Sequence, residues 1–343
     1  MNGQSETTIH DIAKKLNISA STVSRALKDN PVISKKTRDL IKKTAIEMGY
    51  RPNVIAASFR KKRTNTIGVV VPLINRHFFS SVISGIEEVA YNSGYTVNIS
   101  QSNDDYSKEA CIAQSLFENR VEGLIISIAM KTTNFTHLKV FSARNIPLVF
   151  FDREAGGIHA NKILVDDFRG GYKATRHLIE QGYKRIAHIG GPINLNIYKN
   201  RLAGYIKALS ESGIAWNNNM VVHNSLTRAD GSESIKRLMK NTPPPDAVFC
   251  ANDTTALSVI LFAKKTELKI PADLGVVGFS NEPFSEVVSP PISTIKQPGY
   301  EMGKMSATLL IRQIKGEIGE KDFKTVIMPT ELIVRESSLK NES

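Results

Sequence analysis

From Ile67 onward the chain alternates short apolar runs with helical patterns, and this alternation restricts the fold more than any other feature. The runs are Ile67–Val71, Tyr95–Ser100, Gly123–Ile128, Pro147–Asp152, Ile163–Asp166, Arg185–Ile189, Ala247–Ala251 and Gly275–Phe279. Helical patterns separate most of them, as in Phe78–Asn92, Ser107–Asn119, Gly170–Gln181, Arg201–Ser212 and Thr254–Lys264. Apolar runs without strict alternation suit strands buried on both faces, and the strand–helix order implies parallel sheets. The 280 residues after Arg63 exceed a comfortable single core, so two α/β lobes are expected. Ligands of such sheets bind beyond the carboxyl ends of the strands. That rule marks Asp152, Asn252, Asp253, Ser280 and Asn281, each a polar residue at the end of an apolar run.

The first fifth of the chain reads differently. In TIHDIAKKLNISASTVSRAL, Thr8 can cap a helix, and Asp11 stands at the capping-box position. Ile9, Ile12, Ala13 and Leu16 share one helical face. Asn17 ends the helix, Ile18 packs inward and Ser19 caps a second helix. There Val23, Ala26 and Leu27 point to a core, leaving Ala20, Ser21, Ser24 and Arg25 outside. A helix-turn-helix sets the start of its second helix against base edges, where small residues permit close approach and an arginine reaches phosphate or guanine. An ordinary helical hairpin with a solvated face is the plainer alternative. A third helix follows, capped by Ser34, with Thr37, Leu40, Ile41, Thr44, Ala45 and Met48 as its apolar stripe and Gly49 as its stop.

Charge favours nucleic acid. The chain carries +12. Residues 1–63 hold 14 Lys and Arg against 5 Asp and Glu, leaving only +3 for the rest. A solvated surface needs no such asymmetry, whereas a phosphate-binding module does. After Pro52, Asn53 can cap a short helix ending in the basic run Arg60–Arg63. It is too short to be stable alone in water. Either it is a basic linker or a hinge that folds on DNA with Phe59 as an apolar wedge.

Enzyme and cofactor readings find no support. No G-x-G-x-x-G follows a strand and no P-loop sequence occurs. Cys111 and Cys250 lie far apart within apolar patterns, as buried free thiols would. The seven histidines are scattered, and His188 in IAHIGG reads as a core residue. No catalytic set, metal site or cofactor is expected. With no signal segment and no apolar run near the ~20 residues of a membrane span, the expected location is cytoplasmic.

The segments DIAKKLNISASTVSRAL, GYRPNVIAASFRKKRTNTIGVVVP, RLAGYIKAL, ANDTTAL and GVVGFSNEPFSEVVSPPISTIKQP, in that order, resemble the lactose-repressor/galactose-repressor family of bacterial transcription regulators over nearly the whole chain. The resemblance implies an all-α helix-turn-helix headpiece (1–51), a hinge helix and linker (52–64), and a two-lobed core like a periplasmic binding protein (65–343). Its N-lobe would take in about 65–164 and 295–327, its C-lobe about 165–294 and 328–343, with three crossings between them. It also implies a homodimer on a near-palindromic double-stranded operator. The short polar tail after Glu336 lacks leucine heptads, which favours a dimer over a tetramer.

Carried over by position, the resemblance places DNA contacts at Thr8, Ser19, Ala20, Ser21, Thr22, Ser24 and Arg25, and in the hinge at Asn53, Ala57 and Phe59, the last standing where a leucine wedge is usual. It places effector contacts at Phe78, Phe79, Asp152, Ile197, Arg201, Asn252, Asp253, Ser280 and Gln297. Arg201 and Asp152 suit sugar hydroxyls; the plainer reading of Arg201 is an exposed helix-end cation, and of one of the two phenylalanines, plain core. Many sugar-binding members carry aspartate where Ser280 stands, so the expected effector has fewer paired hydroxyls there or bears a carboxylate or phosphate, as a sugar acid does. Leu195 and Ile197 would make one wall apolar. The function implied is a regulator, in the first instance a repressor, controlled by a small carbohydrate. The alternatives are control by a protein co-effector, a sugar-binding protein without a regulatory role, and an enzyme on the same fold.

Overall fold

The computed structural model describes residues 7–50, 64–319 and 322–340. The chain divides into two compact units, one through Thr64 and one from Asn65. Among its described residues the first has three helices, α1 (Ile9–Leu16), α2 (Ala20–Leu27) and α3 (Lys35–Glu47). Each starts on a hydroxyl cap. Thr8 and Asp11 form a reciprocal capping box, while Ser19 and Ser34 accept from the amides of Thr22 and Thr37. Asn17 closes α1 at φ 51° and Gly49 follows α3 at φ 64°, both in the left-handed region that lets a chain leave a helix sharply. Ile12, Ala13, Val23, Ala26, Ile41 and Ala45 make the core, with Ala20 packed partly against it. Of the expected stripe only Leu40 turns outward, at 52% exposed; Ile41, Thr44 and Ala45 are buried and Met48 packs partly against the same core.

The second unit contains two six-stranded sheets. The first comprises β1 (Thr66–Val71), β2 (Thr96–Gln101), β3 (Gly123–Ile126), β4 (Leu148–Phe151), β5 (Asn161–Val165) and β11 (Thr325–Met328), in the order β11-β5-β4-β3-β1-β2, all parallel. The second comprises β6 (Ile186–Gly190), β7 (Val221–His223), β8 (Ala247–Cys250), β9 (Gly275–Phe279), β10 (Ser293–Lys296) and β12 (Glu331–Ile333), in the order β12-β10-β9-β8-β6-β7, parallel except for β12. The chain thus passes between sheets after β5, after β10 and after β11. The central strands are buried along their length, as their apolar runs require.

Helices flank each sheet. In the first lobe these are α4 (His77–Asn92), α5 (Tyr106–Glu118), α6 (Thr136–Ala143) and α12 (Gly299–Ile314). In the second they are α7 (Asp167–Glu180), α8 (Asn196–Glu211), α9 (Arg228–Leu238), α10 (Asp253–Lys265) and the short α11 (Phe284–Val287). One helix pair in each lobe meets backbone to backbone through glycine. A Cβ on Gly303 would lie 2.0 Å from the Val82 carbonyl oxygen, joining α12 to α4, and one on Gly204 would lie 2.1 Å from that of Phe168, joining α8 to α7. Only glycine allows this approach. α8 begins at Asn196, five residues before the expected start, so Arg201 lies inside the helix and not at its end. Cys111 is exposed on α5, contrary to expectation, while Cys250 is buried in β8. His188 is a core residue: fully buried, stacked between Tyr205 and Phe249, and hydrogen bonded through Nδ1 to the Phe249 carbonyl at 3.0 Å. Burial lowers its pKa to about 3, so it stays neutral.

Candidate functional site

In the headpiece, the cap geometry sets which groups are presented. The Ser19 hydroxyl hydrogen bonds to those of Ser21 and Thr22, each at 2.8 Å, and accepts from the Thr22 amide. Ser19, Ser21 and Arg25 are exposed; Ala20, Thr22 and Ser24 are half-buried. Thr8 is exposed but occupied by Asp11, whose carboxylate accepts from both its amide (2.8 Å) and its hydroxyl (2.7 Å). These bonds hold Asp11 below the usual carboxylate range. Arg25 makes no ion pair among the described residues. The exposed face of α2 is therefore small and polar with one available cation, a shape suited to entering a DNA groove. Asn53, Ala57 and Phe59 lie outside the described residues.

In the core, a cleft of about 460 Å³ opens where the strands of both sheets end. All nine expected effector residues line it: Phe78, Phe79 and Asp152 from the first lobe, Ile197, Arg201, Asn252, Asp253 and Ser280 from the second, and Gln297 at the crossing after β10. Phe78 and Phe79 are both buried core residues as well, meeting edge to face at 5.2 Å. Ile197 supplies an apolar wall; Leu195 is buried in the core instead and does not reach the cleft.

The polar groups differ in what they have left to give. Arg201 is not an exposed cation: it is 3% exposed, with its guanidinium 3.6 Å above the Phe279 ring. Its Nε and Nη2 lie 2.8 Å from Asp167 Oδ1, and Nη1 donates to the Ala251 carbonyl at 2.7 Å. Burial pushes Asp167 up to about 7 against the pull of Arg201. Asn252 is committed to capping α10, accepting from the Thr255 amide at 2.8 Å and donating to the Leu226 carbonyl at 3.2 Å. Asp253 accepts from the Thr294 hydroxyl (2.6 Å) and the Glu282 amide (2.7 Å), and burial raises it to about 6. Both residues build the wall more than they face into it.

Asp152, Ser280 and Gln297 are the more available. Asp152 sits at φ 60°, buried, with Arg153 Nε 3.8 Å from its carboxylate; burial raises its pKa. Ser280, at φ 110°, is held in a backbone region that costs energy for any residue with a Cβ, and such strain gathers at functional sites. Its hydroxyl donates to Gln297 Oε1 at 2.9 Å. Among the cleft residues that the sequence did not point to are Asp104, Arg76 and Glu282. Asp104, beyond β2, accepts from Arg153 and from the Met130 amide. Arg76 bonds the Thr254 hydroxyl, and Glu282 accepts from the His77 amide at 3.3 Å. These last two contacts, with the Asn196 side chain bridging Glu154 and Asp152, draw the lobes together across the cleft.

Comparison with known proteins agrees with both parts. Residues 8–53 match the model of bacterial regulatory proteins of the lacI family, and residues 175–338 that of a periplasmic binding protein-like domain. The chain is 32% identical to the HTH-type transcriptional regulator DegA of Bacillus subtilis over 334 residues, covering 97% of this chain and 98% of the relative. It is 32% identical to the HTH-type transcriptional repressor CytR of Escherichia coli over 332 residues, 96% of each. Among solved structures it superposes on the Lac repressor dimer bound to operator and an anti-inducer with a TM-score of 0.84 at 25% identity, covering 98% of this chain and 100% of that one. The complex of the transcriptional regulator CelR with cellobiose gives 0.75 at 26%, covering 97% and 100%. With both halves matched and full-length relatives at this identity, the chain belongs to the lacI family of bacterial transcriptional regulators.

Proposed function

We propose that the protein is a cytoplasmic repressor that binds a near-palindromic operator as a homodimer, and that a small carbohydrate-type effector, a sugar or sugar acid, sets its operator affinity from the core cleft. The observation that carries this is the union, in one chain, of a basic headpiece presenting Ser21 and Arg25 with a cleft whose two walls belong to different lobes. In this reading Ala20, Ser21 and Arg25 meet base edges, Thr8, Ser19, Thr22 and Ser24 support the backbone contacts, and Asn53, Ala57 and Phe59 act in the hinge. Asp152, Ser280 and Gln297 bind the effector directly, Phe78, Phe79 and Ile197 shape its apolar wall, and Arg201, Asn252 and Asp253 fix that wall.

Control follows from linkage. A ligand shifts operator affinity only by its differential affinity for the two lobe arrangements, and couplings of about 1–3 kcal/mol are usual. Hydrogen bonds that cross the cleft, such as Glu282 to the His77 amide, are the ones a lobe movement must break or reform. Selection of binding sites from random double-stranded DNA by the purified protein tests the first half. Enrichment of an inverted repeat, bound with a steep salt dependence, is expected; enrichment of no such repeat would remove the DNA reading. Repeating the selection with candidate carbohydrates tests the second half, and operator affinity indifferent to all of them would remove the carbohydrate effector.

A further inference from the structure

We propose that Glu109 is a positioning residue of the effector cleft: a carboxylate buried behind the cleft that fixes the turn on which Met130 and Lys131 reach the ligand. This rests on reading the cleft as the effector site and goes further by naming what holds one of its walls.

Strand β3 ends at Ile126, and the Ser127 amide still donates to the Val70 carbonyl of β1 at 3.1 Å. Past that point side chains tie the chain down. Arg153 Nη1 donates to the Ile128 carbonyl at 3.3 Å, and Asp104 accepts from the Met130 amide at 2.8 Å. Glu109 accepts from the Ala129 amide through Oε2 and from the Thr132 hydroxyl through Oε1, the latter at 2.9 Å. Met130 and Lys131 line the cleft. Glu109 thus grips the residues on either side of the pair that faces the ligand. It does so from α5, fully buried and outside the cleft lining.

A glutamate with no exposure needs a reason. Taking a carboxylate out of water is costly unless hydrogen bonds replace the water, and glutamate is almost never fully buried unless paired. Two of the groups that meet Glu109 belong to the turn; the third is His137 Nε2 on α6, 2.9 Å from Oε1. Joining α5 to α6 does not require the carboxylate, because rings already join them: Phe117 meets Phe141 edge to face at 5.8 Å, and Tyr106 meets His137 at 5.5 Å. The turn is different. It is irregular backbone beyond the end of a strand, and a wall built on such backbone keeps its geometry only when locked side chains support it.

The test uses the full chain and three variants. Glu109→Met keeps the reach of the side chain and removes the acceptor. Glu109→Gln can still give its amide oxygen to the Ala129 amide while its NH2 group faces the Thr132 oxygen. Thr132→Val removes one donor and leaves Glu109 in place, which keeps the proposal testable should the Met variant not fold. Amide hydrogen exchange read by mass spectrometry follows residues 127–132, with β3 as the internal reference, and calorimetry follows binding of glucose, galactose, ribose and cellobiose. In Glu109→Met the turn is expected to exchange about tenfold faster or more with β3 unchanged, and affinity for the sugar that the wild type binds to fall by about tenfold or more. Glu109→Gln is expected to restore most of both, and Thr132→Val to give a severalfold loss of each. A role confined to stability would speed exchange in β3 as much as in the turn, or leave sugar affinity untouched in the folded variant; either result would overturn the inference. So would a turn as protected in Glu109→Met as in the wild type. If none of the four sugars binds the wild type, the carbohydrate reading falls, and protection of the turn decides this inference by itself.

Discussion

Breaking the buried Asp167–Arg201 pair one partner at a time should destabilise the core by unequal amounts. Asp167→Leu leaves a guanidinium that is 3% exposed with one carbonyl and the Phe279 face as its company. Removing one partner of a buried pair typically costs about 3–5 kcal/mol, and arginine cannot escape by losing its proton. Arg201→Met should fall at the low end, about 3 kcal/mol, because Asp167 can escape by taking one. Burial already holds that carboxyl near 7, and without Arg201 it rises further. The wild-type fold keeps this proton up to about pH 7 as well, so the two proteins lose stability alike below that, and the Arg201→Met deficit should grow with pH only above ~7, by up to about 1.4 kcal/mol per unit. The double variant should cost less than the sum of the singles by about 2–3 kcal/mol. Guanidinium denaturation followed by circular dichroism, at fixed protein concentration because a dimer's stability depends on it, measures all three. Single costs below about 1 kcal/mol, the behaviour of a solvated pair, or strictly additive costs, would refute the argument.

Gly303→Ala should destabilise the core by about 1–3 kcal/mol, since its Cβ would meet the Val82 carbonyl at 2.0 Å; Gly156→Ala, with nothing within 4 Å, should stay within about 0.5 kcal/mol by the same denaturation measurement. His188, held neutral at a pKa of about 3, should cost wild-type stability as pH falls below ~6.5, because only the unfolded chain then binds the proton. Relative to His188→Phe the wild type should lose up to about 1.4 kcal/mol per pH unit between 6 and 4, and a pH-independent difference in melting would contradict this. Arg25→Ala should weaken operator binding in a gel-shift titration by about 1–3 kcal/mol if it reads a base edge, with relaxed specificity at one position, or lower the salt slope by about one if it meets a phosphate.

The sequence discloses the central strands and the headpiece because their signals are strong and local. Apolar runs mark buried parallel strands, and three hydroxyl caps mark three helix starts. β10 is hidden because it reads STIK, yet Ser293 and Thr294 are fully buried with satisfied hydroxyls, on the Arg335 carbonyl and on Asp253. β11 and β12 at the sheet edges are only half covered and show no apolar run. α9 did carry a legible mark, the capping box of Thr227 and Asp230. For the cleft, the rule of strand carboxyl ends finds Asp152, Asn252, Asp253 and Ser280. Extended to β2 and β3 it reaches Asp104 and Lys131, which no apolar pattern points to. What no one-dimensional pattern carries is commitment: Arg201, Asn252 and Asp253 line the cleft while bonded to protein groups, and Gln297 is bonded to Ser280 at one end of its amide only.

The two helix pairs joined through glycine suggest why the core suits a switch. Each lobe is braced internally by a backbone contact that tolerates no side chain, whereas few hydrogen bonds, from Arg76, His77, Glu154 and Asn196, cross the cleft. Stiff lobes with a sparse seam concentrate movement at the crossings, where a ligand can bias it.

The central claim is that cleft occupancy and operator affinity are one coupled equilibrium. It is tested most directly by measuring operator affinity of the full chain, by fluorescence anisotropy at fixed salt, with and without a ligand shown calorimetrically to bind the core. The account expects a five- to hundredfold change, about 1–3 kcal/mol of coupling, and an equal change in ligand affinity when operator is added first. A ligand that binds the cleft tightly and leaves operator affinity unchanged would contradict it.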